Sequence, residues 1–260
     1  ITSVKDYEAI FIGGGSMLDG APRIDNGCWS ELLTKKILYL GVGTETNLHQ
    51  QHQQLIKCAK LIASRSQVSD LLRNLNSNIV SIPDLVYCLQ KPITRNPKNK
   101  SVLILPNALV IPNHTDALWK WQAWNYFKSE FAQFLDYLLV NKYQIKFGAL
   151  SNDPYWHDLS AATEIVNHMV HRKDFKIELS TDINQLVDQI KDYSVVITQR
   201  YHGSILSQMA RVPHLTLCHH DKLKLDYLQE GRYLNYYGIT KRDLIDSFHE
   251  VEKQQLSSVW

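Results

Sequence analysis

The sequence predicts an α/β protein built from two Rossmann-like, doubly wound domains. Short apolar runs of four to eight residues recur along the chain, and glycine or polar residues follow each run. Segments with the apolar spacing of helices lie between these runs, a pattern typical of parallel strands covered on both faces. The stretch Leu89–Lys100 is polar, holds two prolines and has no periodicity, which indicates a linker. We therefore expect a first domain over residues 1–90, a linker over 91–100 and a second domain over 101–260.

The composition is that of an ordinary soluble globular protein. The 260 residues are 44% hydrophobic and 21% charged, with a net charge of +2 and a pI near 8.3. This balance argues against a general nucleic-acid binder, which usually carries a strongly basic face. No apolar run approaches the roughly 18–20 residues of a membrane span. The four cysteines are far apart and form no CxxC pair, so we expect reduced thiols in the core and a cytoplasmic protein.

The first domain is predicted to alternate strands with helices. The strands are Ala9–Gly15, Ile37–Thr44, Ala59–Arg65 and Asn78–Asp84, and the helices are Asn47–Cys58 and Ser69–Asn74. The chain starts at Ile1 and reaches its first strand by about Ile10. We therefore expect this domain to be truncated at its N-terminus.

The second domain repeats the same alternation. Its predicted strands begin at Ser101, Tyr143, Phe175, Ser194 and His214, and its predicted helices are Asp116–Val140, Asp158–His171, Ile183–Lys191, Ser204–Ala210 and Lys241–Gln254. In the longest helix, aromatic and leucine residues recur every three or four positions, which predicts a core stripe rather than a stacking platform for bases or sugars. We expect the final helix to cross back and pack against the first domain.

A glycine-rich loop follows the first strand, in the sequence "FIGGGSMLDG". Glycines allow positive φ and a close approach of backbone N–H groups to a ligand, so Gly13, Gly14, Gly15 and Ser16 are candidate binding residues. The spacing is not GxGxxG, and a simple tight turn is the alternative. Asp19 strengthens the functional interpretation because carboxyl ends of parallel strands open onto the ligand crevice.

Four further polar residues lie at or near strand ends or on a helix. Arg65 ends a strand and is either solvated or turned into the crevice. Lys222, in "LCHHDKL", offers a point positive charge after another strand. His168 and His171 can share a helix face, but no third ligand is evident, so the sequence predicts no metal site.

The segment "VVITQRYHGSILSQMARVP" is the strongest functional signal. An apolar strand runs directly into Arg200, Tyr201 and His202, and a helix is predicted from Gly203 and Ser204. In an extended loop, alternate side chains face the same way, so we expect Arg200 and His202 to point together and Tyr201 to point elsewhere. A helix N-terminus and the arginine fork both favour phosphate or carboxylate. The alternative is a structural role, with the arginine capping a carbonyl and the histidine buried.

These segments resemble the polysaccharide pyruvyl transferase family. The resemblance rests on "IFIGGGSMLDG", "YLGVGT", "IASRSQVS", "IPDLVY" and above all the R-x-H-G segment, in the family's order from about Tyr7 to Lys222. It implies two Rossmann-like domains facing a central cleft, as in glycosyltransferases of the B type. It also implies transfer of the pyruvyl unit of phosphoenolpyruvate to sugar hydroxyls, giving a pyruvate ketal and phosphate.

By this resemblance, Arg200 and His202 hold phosphoenolpyruvate. We expect Arg200 to bind its phosphate or carboxylate, His202 to donate a proton and Asp19 to act as the base toward the acceptor. Many relatives carry an arginine soon after the first strand of the second domain, where this chain has "ILPNALVIPNH"; Asn107, His114 and Lys222 are candidates to replace it. Relatives also begin with a further strand–loop–helix that does not precede Ile1 here.

The expected partners are phosphoenolpyruvate and a sugar, polysaccharide or lipid-linked oligosaccharide, whose lipid gives peripheral membrane contact. No redox cofactor and no metal are implied. Two alternatives stay open: a glycosyltransferase that uses a nucleotide sugar, and a non-catalytic relative that binds a sugar or an anion.

Overall fold

The computed structural model describes residues 3–14, 24, 26–43, 48–65, 70–89, 100–151, 158–172, 177–179, 183–218 and 232–257. These residues form two compact units, one up to Leu89 and one from Lys100 onward. The predicted linker, apart from Lys100, lies outside the described residues.

The first unit is a parallel sheet with three helices between its strands. The strands are β1 (Ala9–Gly13), β2 (Lys36–Val42), β3 (Leu61–Ser64) and β4 (Ile79–Ser81), and the helices are α1 (Asn26–Leu32), α2 (Gln50–Cys58) and α3 (Asp70–Leu75). The four strands lie in chain order and every pairing is parallel. Alternate residues of β2, such as Ile37 and Tyr39, are buried together with Leu55 and Ile56 of α2. This alternation is the two-residue period of a strand that turns one face to a core.

The second unit is a larger parallel sheet with helices in two groups. Its strands are β5 (Ser101–Leu105), β6 (Gln144–Ala149), β7 (Ile177–Leu179), β8 (Val195–Thr198), β9 (His214–Cys218) and β10 (Arg232–Asn235). Its helices are α4 (Leu118–Val140), α5 (Asp158–Asn167), α6 (Ile183–Ile190), α7 (Tyr201–Met209) and α8 (Lys241–Ser257). Helix α4 packs against α5 and α8, and α6 packs against α7. Right-handed connections place these two groups on opposite faces of the sheet.

The strand order of the second sheet is β10-β9-β8-β5-β6-β7, with every pairing parallel. Counted from β5, this is the order 3-2-1-4-5-6 of the Rossmann fold. The chain therefore adds β6 and β7 on one side of β5, and then adds β8, β9 and β10 on the other side of β5. The crevice outside the carboxyl ends of these two strands is the topological switch point, where open α/β sheets bind ligands.

The aromatic stripe of α4 is buried, as the sequence predicts. Trp124, Phe127, Phe131 and Phe134 are at most 1% exposed, and consecutive rings of the first three lie 5.6 and 5.2 Å apart. Phe248 of α8 packs edge-on against Phe134, at 5.8 Å. Helix α8 is therefore part of the core of the second unit, and the expected contact with the first domain stays a prediction. The cause is its apolar face, which completes the stripe of α4.

Other differences concern elements with weak sequence signals. Helix α1 and strand β10 were not predicted, because "NGCWSEL" and "RYLN" are short and mix polar with apolar residues. All four cysteines are free, but only Cys28 is buried, whereas Cys58 and Cys88 are exposed. No helix in the described part of the chain is both long and apolar enough to cross a bilayer.

Candidate functional site

The switch point of the second sheet gathers polar side chains at the carboxyl ends of β5 and β8. Gln199 directly follows β8, and its backbone N–H donates to the carbonyl of Leu105, the last residue of β5, at 2.9 Å. Asn107 follows β5, and its backbone N–H donates to the side-chain oxygen Oε1 of Gln199 at 3.2 Å. These bonds hold the two strand exits beside each other.

Asp158 is a buried carboxylate that connects the segments following β5, β6 and β8. It is the first residue of α5, and its side chain is fully buried. Its Oδ2 accepts the backbone N–H groups of Leu150 (2.9 Å) and Ser151 (3.0 Å), which follow β6. Its Oδ1 accepts the N–H of Ala108 (3.2 Å) and a hydrogen bond from Nη2 of Arg200. A buried charge is stable only when it is paired and hydrogen-bonded, and Asp158 meets both conditions.

Arg200 is held on one side of its guanidinium by Asp158. The side chain is 18% exposed, and its Nε is buried with no hydrogen-bond partner among the described residues. Its backbone is extended (φ −104°, ψ 131°), and it occupies the N-cap position of α7 without a side-chain capping hydrogen bond. The ion pair fixes the orientation of the fork without using all five of its N–H donors. Arg200 is therefore both anchored and able to bind an anion.

Gly203 allows α7 to start close to β8. A Cβ at this position would lie 2.2 Å from Oγ1 of Thr198, 3.0 Å from Cβ of Thr198 and 3.2 Å from Leu105. The Thr198 Oγ1 accepts the backbone N–H of Arg200 at 2.9 Å. The glycine of the R-x-H-G segment thus permits close packing that places the arginine. This role differs from the direct ligand contact that the sequence suggested.

Helix α7 begins at Tyr201, earlier than predicted. The expectation that Arg200 and His202 point together assumed an extended loop, whereas His202 lies in the first helical turn. His202 is exposed, and its ring is 5.6 Å from the ring of Tyr201. The two residues still share one helix N-terminus, where the dipole favours negative charge.

Ser204, a predicted binding residue at the start of the helix, has partners inside the protein for both its hydroxyl and its backbone N–H. The residue is fully buried, and its Oγ lies 2.6 Å from Oγ1 of Thr216 in β9. Its backbone N–H forms the first intrahelical bond, to the carbonyl of Arg200 at 3.3 Å. Ser204 thus joins α7 to the sheet.

In the first unit, Arg65 is part of a buried ion pair. Its Nη1 lies 2.5 Å from Oδ2 of Asp84, and the two side chains are only 10% and 6% exposed. The other oxygen of Asp84 accepts the backbone N–H of Val86 at 3.0 Å. The guanidinium therefore holds the segment after β4, an observation that favours a structural role over the predicted role in binding the donor.

The glycine loop is described only at its start. Gly14 has φ +82° and its N–H donates to the carbonyl of Leu40, so the chain turns sharply after β1. A Cβ on Gly13 would lie 3.0 Å from the same carbonyl oxygen. The predicted site residues Gly15, Ser16, Asp19 and Lys222 lie outside the described residues.

The remaining candidates form no metal site within the described residues. No group of three or more His, Cys, Asp or Glu side chains there is arranged to hold a metal ion. The backbone N–H of His171 donates to Asp136 at 2.9 Å, which ties the end of α5 to α4. His114 is an exposed loop residue, while Asn107 is buried at the switch point.

Comparison with solved structures shows the fold. A Listeria monocytogenes protein described as a UDP-N-acetylglucosamine 2-epimerase has a TM-score of 0.57 at 10% identity, over 96% of this chain and 66% of its own. UDP-GlcNAc 2-epimerase from Methanocaldococcus jannaschii has a TM-score of 0.54 at 8% identity, with 93% and 69% covered. The enzyme from Neisseria meningitidis bound to UDP-GlcNAc has a TM-score of 0.52 at 10% identity, with 95% and 70% covered.

The chain thus spans about two thirds of the length of these three structures. Their likeness confirms the predicted fold class, an α/β protein with two Rossmann-like domains of the glycosyltransferase-B type. No curated protein shows significant sequence similarity to this chain.

The sequence itself matches a family over most of its length. The family described as polysaccharide pyruvyl transferase matches residues 2–221, which include the glycine loop, the Arg65 strand and the R-x-H-G segment. With most of the chain matched, and with its R-x-H-G segment placed at the switch point of a Rossmann-like sheet, this protein belongs to the polysaccharide pyruvyl transferase family.

Proposed function

We propose that this protein transfers the pyruvyl group of phosphoenolpyruvate to hydroxyls of a polysaccharide or of its sugar precursor. The observation that carries the proposal is the anchored Arg200 at the switch point, inside the family's R-x-H-G segment. Phosphoenolpyruvate carries a phosphate and a carboxylate, and an arginine fork at a helix N-terminus suits both groups. The cytoplasm, where phosphoenolpyruvate is expected, is the proposed compartment.

The reaction requires one proton on carbon and one leaving group. The C3 methylene of phosphoenolpyruvate takes a proton and becomes a methyl group, while an acceptor hydroxyl oxygen bonds to C2. A second hydroxyl then bonds to C2 as the C2–O bond to phosphate breaks. The two hydroxyl protons balance the proton gained at C3 and the proton carried by the departing phosphate. The products are a cyclic pyruvate ketal and inorganic phosphate.

Four residues have proposed roles in this reaction. Arg200 stabilises the negative charge of the donor, a contribution that preorganised cations make without reorganising in the transition state. His202, exposed at the start of α7, supplies the proton, since an imidazole titrates near neutral pH. Asp19 is the proposed base on the acceptor side, and Lys222 is a further proposed contact to the donor.

A glycosyltransferase that uses a nucleotide sugar is the second candidate function. The Neisseria meningitidis neighbour was solved with UDP-GlcNAc bound, which makes a nucleotide sugar a reasonable ligand to test on this fold. A non-catalytic relative that binds a sugar or an anion is the third candidate. Ligand titration separates the three, because only the first binds phosphoenolpyruvate and turns it over.

The test is phosphate release from phosphoenolpyruvate in the presence of free or lipid-linked galactosides, glucosides and mannosamines. We expect release that depends on one acceptor and yields a ketal, seen as a new methyl resonance in the NMR spectrum of the sugar. Release of a nucleoside diphosphate from a nucleotide sugar, with no use of phosphoenolpyruvate, contradicts the proposal. Binding without any turnover favours the non-catalytic candidate.

A further inference from the structure

Gln199 has a buried amide nitrogen that nothing in the described chain satisfies. The residue is 8% exposed, and its Nε2 is covered and has no hydrogen-bond partner among the described residues. The orientation of the amide is fixed by its other atom, since Oε1 accepts the backbone N–H of Asn107 at 3.2 Å. The unsatisfied atom is therefore a donor.

Leaving such a donor unsatisfied is costly. A buried N–H group without an acceptor typically destabilises a protein, which is why unsatisfied groups in native structures require an explanation. Gln199 lies in the strand exit that also carries Arg200, at the position where an acceptor of ligand origin is expected in this sheet. A ligand oxygen that accepts from Nε2 would explain why this donor has no partner in the protein and why it lies at this strand exit.

The Gln199 amide and the Arg200 guanidinium converge on one short turn. Consecutive side chains of an extended segment point to opposite sides. Here, however, the hydrogen bonds of both side chains lead to two adjacent backbone N–H groups. Gln199 Oε1 binds the N–H of Asn107, and Arg200 binds Asp158, whose Oδ1 accepts the N–H of Ala108. Two covered donors, Nε2 of Gln199 and Nε of Arg200, thus lie in one polar cluster without partners in the described residues.

We propose that Gln199 is a further binding residue for the anionic donor, with its Nε2 donating to an oxygen of the phosphate or carboxylate. The inference rests on the proposed function for the identity of the ligand, but not for the presence of an anion site. An amide adds a neutral donor beside the charged fork, so the site gains a directed contact without further positive charge. Because Nε2 is covered, the atoms above it shift as the anion enters, as contacts in active sites often tighten only when ligand is bound.

The decisive variant is Gln199→Glu. It preserves the size of the side chain and an oxygen for the N–H of Asn107, but it replaces the donor with an acceptor that repels anions. At pH 8, we expect affinity for phosphoenolpyruvate to fall at least about 10-fold, the lower range for losing a hydrogen bond to a charged group. Gln133→Glu is the matched control, since this exposed residue of α4 undergoes the same change of charge. Its affinity should equal that of the parent.

Calorimetric titrations with inorganic phosphate, pyruvate and phosphoenolpyruvate identify the oxygen that Gln199 contacts. Weaker binding of phosphate and phosphoenolpyruvate supports a contact to the phosphate, and weaker binding of pyruvate and phosphoenolpyruvate supports a contact to the carboxylate. Unchanged affinity for all three anions, in a variant whose melting temperature matches the parent, overturns the inference. If Gln199→Glu does not fold, Gln199→Met gives the same comparison without a charge, with an expected loss of about 10- to 150-fold.

The inference and the proposed function fail in different ways. A parent protein that binds phosphate through Gln199 but never turns over phosphoenolpyruvate retains the inference and loses the function. A parent that turns over phosphoenolpyruvate, with Gln199→Glu binding it equally well, retains the function and loses the inference. A parent that binds none of the three anions overturns both.

Discussion

Replacing Gly203 by alanine tests how the arginine segment is placed. The new Cβ would lie 2.2 Å from Oγ1 and 3.0 Å from Cβ of Thr198, well inside van der Waals contact. Thr198 is buried, and its hydroxyl accepts the N–H of Arg200 at 2.9 Å. The threonine can escape the clash only by rotating its hydroxyl away or by moving α7 from the sheet.

The expected cost follows from three contributions. Overpacking of a well-packed site costs about 1–3 kcal/mol, and leaving the N–H of Arg200 without its acceptor costs about 1–3 kcal/mol more. Alanine is better than glycine in a helix by about 1 kcal/mol, which offsets part of this loss. We therefore expect the free energy of unfolding to fall by about 1–5 kcal/mol.

The assay is urea denaturation of the full chain, monitored by tryptophan fluorescence, to which the buried Trp124 contributes. Thr198→Ala/Gly203→Ala is the informative partner, because removing the hydroxyl relieves the closest contact. The two substitutions should be non-additive, with the double variant losing at least about 1 kcal/mol less than the sum of the single variants. A Gly203→Ala protein as stable as the parent, with unchanged ligand affinity, would refute the proposed role of this glycine.

Three further predictions concern other parts of the molecule. Arg65→Leu should lower the free energy of unfolding by about 3–5 kcal/mol, because it leaves Asp84 charged and buried, while affinity for phosphoenolpyruvate stays within about twofold by calorimetry; a large loss of affinity would restore Arg65 to the site. Burial lowers the pKa of His214 from 6.5 to about 4, so the unfolded chain takes up a proton first, and stability present above pH 6.5 is lost as the pH falls through 4. This loss should be about 3 kcal/mol in urea denaturation across that range, and His214→Gln should remove it; an identical pH profile in the variant would contradict the assignment. Activity should survive exhaustive chelation, and loss restored by one divalent ion would overturn metal independence.

The sequence predicts the frame of the fold because strong local patterns set it. The apolar runs at β5 and β8 are fully buried strands, β9 is buried except at its last residue, Cys218, and the aromatic spacing of α4 is a core stripe. The position of α8 is not predictable in this way. The helix against which α8 packs depends on which apolar face lies near it in the folded protein. The apolar periodicity of the sequence does not show this.

The sequence points to Arg200 as a candidate site residue, but it does not reveal the residues that hold Arg200 in place. Arg200 stands out because it is a charged residue only two positions after an apolar strand. Asp158 does not, because an acidic residue at a helix start is ordinary, and its bonds to Ala108, Leu150 and Ser151 form only when distant segments meet. Gln199 was also missed, since its unsatisfied nitrogen can be recognised only from burial.

Two residues of the predicted site share a feature that the sequence does not show. Ser204 and Arg65 are polar residues near strand ends, but each found a partner inside the protein, Thr216 and Asp84 respectively. A sequence shows the polar group without showing its partner. The start of α7 at Tyr201 likewise places His202 in a helical turn, where the sequence predicts an extended loop.

The central claim is that Arg200 binds the anionic donor, and calorimetric titration of phosphoenolpyruvate tests it most directly. Arg200→Ala should weaken binding by about 10- to 150-fold, the equivalent of a charge-assisted contact worth about 1.5–3 kcal/mol. Arg200→Lys should recover only part of the loss, because lysine restores the charge but not the fork. Arg242→Ala, at an exposed position of α8, removes the same charge and should bind as the parent does. An Arg200→Ala protein that is folded and binds phosphoenolpyruvate as tightly as the parent would contradict the claim.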